Sequence, residues 1–126
     1  MRLVLDNGAL IALERNDPAM WRRLKLALAT DNVPLSHGGV VGQAWRGRGP
    51  RQARLAMALE AIEIRPLDRA LGRAAGELLA RAGRSDVVDA ALVLLASDGD
   101  LIVTSDPGDI EPLARAARRN VDLLRV

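Results

Sequence analysis

With 126 residues, 49% of them hydrophobic, and a net charge of +2, the chain is one domain in size and apolar enough for a real core; disordered, fibrous and two-domain readings are excluded. Cysteine is absent, which removes disulfides, thiolate metal sites and a thiol nucleophile, and one histidine with no tyrosine leaves carboxylates, hydroxyls, arginines or a bound metal to carry any chemistry. No apolar run approaches the roughly 20 residues of a membrane span, and Met1 leads into Leu3-Val4-Leu5 and an acid without the pattern of a signal peptide, so a cytoplasmic protein is expected.

The run Arg2 to Leu5 breaks at Asp6-Asn7-Gly8 and passes into Ala9 to Leu13, which predicts strand, turn and helix. After Pro18, a favoured first-turn residue, Trp21, Leu24 and Leu28 keep helical spacing. Val33-Pro34-Leu35 predicts a second strand, followed by Ser36 as cap of a helix holding Val40, Val41 and Trp45, which stops at Gly47-Arg48-Gly49-Pro50. A helix from Arg51 to Ala61 precedes a brief strand, Ile62 to Ile64, ended by Pro66. Asp68 then caps a helix reaching Arg81 and closed by Gly83. Ser85 or Asp86 starts a helix apolar nearly all round (Val87, Val88, Ala90 to Ala96), a mark of burial. Leu101 to Thr104 is the clearest strand, and a helix around Ile110 to Arg118 with a strand from Val121 to Val126 completes the chain. Alternating strands and helices predict a parallel sheet of about five strands covered on both faces, a three-layer α/β/α sandwich formed by residues 1–126 as one domain.

In open α/β sheets ligands bind beyond the carboxyl ends of the strands, where Asp6 and Asp106 each directly follow an apolar strand. The plainer alternative is that each acid caps the next helix. Asp89 interrupts an apolar helix, and a buried carboxylate left unpaired costs several kcal/mol. No Lys or Arg lies between Asp86 and Ala114, so its partner is either a divalent metal or an arginine from elsewhere in the fold. Asp86, one turn before Asp89, is able to face the same point or to interact only with the helix dipole. An all-carboxylate set suits magnesium or manganese, and with them phosphodiester hydrolysis. The Thr104 and Ser105 hydroxyls either orient a water or a ligand beside Asp106, or bond to the turn backbone.

Elsewhere, Arg46, Arg48, Arg51 and Arg54 cluster without an acid among them, as RNA-phosphate contacts or as a solvated face. Trp45 is read as a packing residue or a base-stacking one, and His37 as structural or exposed.

The segments Leu3-Val4-Leu5-Asp6-Asn7-Gly8-Ala9-Leu10, Val88-Asp89-Ala90-Ala91-Leu92 and Ile102-Val103-Thr104-Ser105-Asp106-Pro107-Gly108-Asp109 resemble, in order, the three acidic motifs of PIN-domain nucleases. The chain is most similar to the VapC-type toxins of bacterial toxin–antitoxin pairs, over nearly its whole length. That resemblance implies a PIN-like sandwich, magnesium- or manganese-dependent endoribonuclease activity on RNA, a homodimer, and inhibition by a small antitoxin protein. It maps the catalytic and metal-binding acids onto Asp6, Asp89 and Asp106, with Asp109 at a further acidic position. One departure stands out: where the family carries a glutamate after the second strand, this chain has Gln43, a neutral side chain. Either Asp86 supplies the missing carboxylate as a metal ligand, or the site holds metal weakly. Glu14 is read as a solvated surface residue rather than a substitute. The competing function is a non-catalytic RNA- or protein-binding module on the same fold. A phosphoacceptor receiver domain lacks its lysine, since Lys25 belongs to an amphipathic helix, and neither glycine fingerprint of phosphate-binding folds occurs.

Overall fold

The computed structural model describes residues 1–126. In chain order the elements are β1 (Leu3–Leu5), α1 (Asn7–Glu14), α2 (Pro18–Ala29), β2 (Leu35–His37), α3 (Gly38–Ala44), α4 (Pro50–Glu60), β3 (Glu63–Arg65), α5 (Arg69–Ala82), α6 (Val87–Leu95), β4 (Leu101–Thr104), α7 (Pro107–Ala116) and β5 (Asp122–Arg125). The five strands form one sheet in the order β3-β2-β1-β4-β5, and every pairing is parallel. Helix α1 packs with α2, α3 and α4, while α5, α6 and α7 pack with one another; α1 and α6 both lie against β1. The sheet is therefore covered on both faces, the α/β/α sandwich expected of alternating strands and helices.

Burial explains the strand compositions. The central strands β1 and β2 are buried at every position, so β1 needs apolar side chains on both faces, whereas the edge strands β3 and β5 carry charge at their exposed ends. Glu63 on β3 pairs with Arg2 and Arg65, keeping that edge polar. A single core cluster of 26 buried residues links β1, β4, α1 and α6, among them Leu5, Leu10, Leu92, Val103 and Ile110. No helix is long and apolar enough to cross a membrane.

Strand β4 and the start of α5 fall where the sequence puts them: Asp68 accepts from Leu71 N at 3.0 Å as the N-cap, and Gly83 closes α5 in the left-handed conformation at φ +65. Strand β2, expected at Val33 to Leu35, lies two residues later. Pro34 has no N–H for a ladder and Val33 is left exposed, so pairing starts at Leu35. Ser36 is consequently a strand residue and not a cap; His37 takes that place, its ring nitrogen accepting from Gly39 N. Helix α7 begins at Pro107 rather than near Ile110, because proline suits a first helical position.

The order of strands creates the cleft. From β1 the chain proceeds to β2 and β3 on one side, and from β4 to β5 on the other, so the connections leaving β1 and β4 diverge. Open parallel sheets of this order form a crevice beyond the carboxyl ends of such a pair.

Candidate functional site

Asp6 and Asp106 stand at this crevice. Asp6 is buried and caps α1, as its plainer reading expects, its Oδ1 accepting from Asn7 N at 2.8 Å, but its Oδ2 also accepts from Thr104 Oγ1 at 2.7 Å. The same Thr104 oxygen accepts from Asp106 N at 3.0 Å. Thr104 thus joins the ends of β1 and β4 through one hydroxyl, bonding to the turn backbone as one of its two sequence readings expects and to the Asp6 carboxylate besides. Asp106 occupies the N-cap position of α7, yet its side chain makes no capping bond, which removes the plainer explanation for that acid. Gly8 lets α1 approach this turn: a Cβ there would lie 2.8 Å from both Ser105 N and Ser105 Cβ. Ser105 packs against that glycine, and its carbonyl accepts from Arg125 Nη1 at 3.2 Å; its hydroxyl is not directed at an acid by any hydrogen bond.

Asp89 is the centre of the charge. Asp86 caps α6, its Oδ1 accepting from Val88 N at 3.0 Å and Asp89 N at 3.1 Å, and Asp86, Asp89 and Asp109 line one small cavity of about 190 Å³ with Arg84 and Ser85. Asp89 is half-buried rather than deep in the core, because the first turn of α6 emerges at the surface with Val87. Its pKa is pushed up to about 7, first by loss of water and then by the carboxylates of Asp6, Asp86, Asp109 and Asp106. The ion pairs of the molecule join Arg2 and Arg65 to Glu63 and Arg115 to Glu111, so none of these five acids is paired with a base.

A gathering of carboxylates that raises the pKa of its central member is relieved by a proton or by a cation. The donors are all oxygen, which suits magnesium or manganese and not a softer metal. In the present arrangement no three of them converge closely enough to be a ready-made ligand set. Asp106 and Asp109 are exposed and make no side-chain hydrogen bond, so they turn without disturbing the core, whereas Asp86, also exposed, is held by its cap bonds through Oδ1.

Other predicted residues lie apart. Gln43 lines a groove between α1, α3 and α4 with Glu14, Arg15, Arg46, Arg48 and Arg51, and none of the five acids borders it. Glu14 is not a freely solvated residue: its Oε2 accepts from Gln52 Nε2 at 2.6 Å. The arginine cluster divides. Arg46 donates to the carbonyls of Gly42 and Trp45, and Arg54 to that of Glu14, so both close helix ends. Arg48 and Arg51 are exposed and face the groove without an ion-pair partner. Packing belongs to Trp21, whose Nε1 donates to Leu13 O, whereas Trp45 is 40% exposed at the end of α3.

Sequence reasoning passed over Ser36 and His37 as parts of the site's framework. Ser36 Oγ donates to Leu5 O at 2.7 Å, and His37 Nε2 lies 3.0 Å from Val88 O. The available signal was two polar residues at the carboxyl end of a buried central strand. No protein-family model matches the chain, and no curated protein matches it.

Proposed function

We infer that the chain is a metal-dependent endoribonuclease of the PIN-domain kind, hydrolysing RNA phosphodiester bonds in the cytoplasm as the toxin of a toxin–antitoxin pair. The observation that carries this reading is the arrangement of five aspartates without a basic partner beyond the strand ends of a parallel sheet, Asp6 and Asp106 joined through Thr104 and Asp86, Asp89 and Asp109 lining one cavity; the raised pKa of Asp89 accords with it. It agrees with the order of acidic motifs in the sequence. In this reading Asp6, Asp89 and Asp106 hold magnesium or manganese, with Asp86 and Asp109 completing the set in place of the carboxylate that Gln43 lacks. When bound, the ion supplies a more acidic water and offsets charge on the phosphate. Thr104 keeps the Asp6 carboxylate oriented, and burial of Asp6 excludes competing solvent. Homodimerisation and capture by a small antitoxin belong to the same proposal.

Purified protein with Mg²⁺ or Mn²⁺ is expected to cut structured RNA, and Asp6→Asn and Asp89→Asn to reduce cleavage by at least about a hundredfold, as loss of a charge-stabilising group does. Equal cleavage by wild type and both variants removes the proposal.

A second reading, a non-catalytic RNA-binding module, is favoured by the lack of a converged ligand set and by the position of Gln43 in the arginine groove. Calorimetry separates the two: the module binds RNA but no divalent ion at millimolar concentration.

A further inference from the structure

His37 is fully buried and is the single histidine of the chain. Its Nδ1 accepts from Gly39 N at 3.1 Å, which leaves the ring proton on Nε2 to donate to Val88 O at 3.0 Å. Burial lowers its pKa, against the raising influence of the Val88 carbonyl and of Asp6, and the ring is neutral at pH 7 and above. The ring also has a shaped seat, because a Cβ on Gly39 would come within 2.9 Å of His37 Cε1.

These bonds form a continuous path. Leu5, which precedes Asp6, receives the Ser36 hydroxyl; His37 follows Ser36 and holds the carbonyl of Val88, which precedes Asp89. The first turn of α6 is therefore fixed twice, its N–H groups by Asp86 and its carbonyl by His37. Neither bond is needed for the sheet ladder, since β2 is already paired on both sides. Two polar side chains in the interior of the fold connect the backbone behind one acid to the backbone behind the other.

We propose that His37, braced by Ser36, is a positioning residue that sets the placement of Asp89 relative to Asp6 and thereby the cation affinity of the acidic cluster. The proposal rests on the metal-dependent reading of that cluster. Groups standing behind metal ligands tune affinity by about 10- to 100-fold.

Isosteric variants isolate the contact. In His37→Gln the amide nitrogen replaces Nε2 and still donates to Val88 O, whereas in His37→Asn the amide oxygen replaces Nδ1 and keeps only the bond from Gly39 N. Mn²⁺ affinity is measured by titration calorimetry at pH 8 on the whole chain, with thermal unfolding of each variant recorded beside it. His37→Gln is expected to bind within about threefold of wild type and His37→Asn about tenfold more weakly. Gly39→Ala, which displaces the ring while leaving its chemistry intact, is expected to follow His37→Asn and carries the test should that variant not fold. Lowered melting temperatures with unchanged Mn²⁺ affinity in His37→Asn and Gly39→Ala would assign the histidine a structural role and overturn the proposal alone. Wild-type protein that binds no Mn²⁺ overturns the metal-dependent reading and this proposal with it.

Discussion

Asp89 is a residue on which stability and chemistry make opposite demands. Its carboxyl ionises at about 7 in the folded chain against 3.8 ordinarily, so the folded state holds this proton more tightly than the unfolded state does. Its contribution to stability is complete below the unfolded value, declines as pH rises from about 4, and is gone above about 7. In metal-free protein at pH 7.5, Asp89→Asn should therefore raise the stability, by about 1–2 kcal/mol once the screening of a half-exposed group is allowed for. This corresponds to roughly 4–8 °C in melting temperature, and the gain should vanish at pH 4. Thermal unfolding at the two pH values checks it; a variant less stable than wild type at pH 7.5 contradicts the charge-repulsion account. Asp6 is different, since its carboxylate accepts two hydrogen bonds and the turn depends on it. The Asp6→Asn variant is expected to lose stability where Asp89→Asn gains it.

Helix α1 and the turn after β4 meet with no room to spare. Gly8→Ala puts a methyl group against Ser105 backbone, which has no free rotation with which to yield, and should cost about 1–3 kcal/mol in urea unfolding. An unchanged midpoint would mean that α1 shifts freely. At this scale the sequence is informative where local chemistry decides. Asp68 and Gly83 bound α5 through caps that need only neighbouring backbone, and the run Leu101 to Thr104 is apolar because both faces are covered. It misleads where a residue serves a distant element: Ser36 resembles a cap yet reaches Leu5, and Glu14 resembles a solvated surface residue yet holds Gln52 from 38 positions away. The acidic stretch shows the same division. Asp86, Asp98 and Asp100 hold backbone N–H groups of Val88, Asp89, Asn120, Arg2 and Ser97, whereas the side chains of Asp89, Asp106 and Asp109 have no such work. Spacing alone does not distinguish the two kinds of aspartate. A partner's position in the fold does.

Over the whole molecule, two local concentrations of charge stand apart, the acidic crevice beyond β1 and β4 and the arginine-rich groove between α1, α3 and α4. If the groove guides an RNA backbone, Arg48→Ala with Arg51→Ala should weaken RNA binding and make log K against log salt shallower by about 2. Exposed and without ion-pair partners, both are removable with a stability change within about 0.5 kcal/mol. Identical salt slopes for variant and wild type, measured by fluorescence anisotropy, would place the RNA elsewhere. The bond from Thr104 to Asp6 spans 98 positions and ties strands that enter the sheet at opposite ends of the chain. During synthesis Asp6 emerges well before its neighbour, as β1 cannot pair with β4 until every element between them has been made. A chain cut short before β4 therefore cannot bring Asp6 and Asp106 together, and the acidic cluster exists only where the first strand has found its distant neighbour.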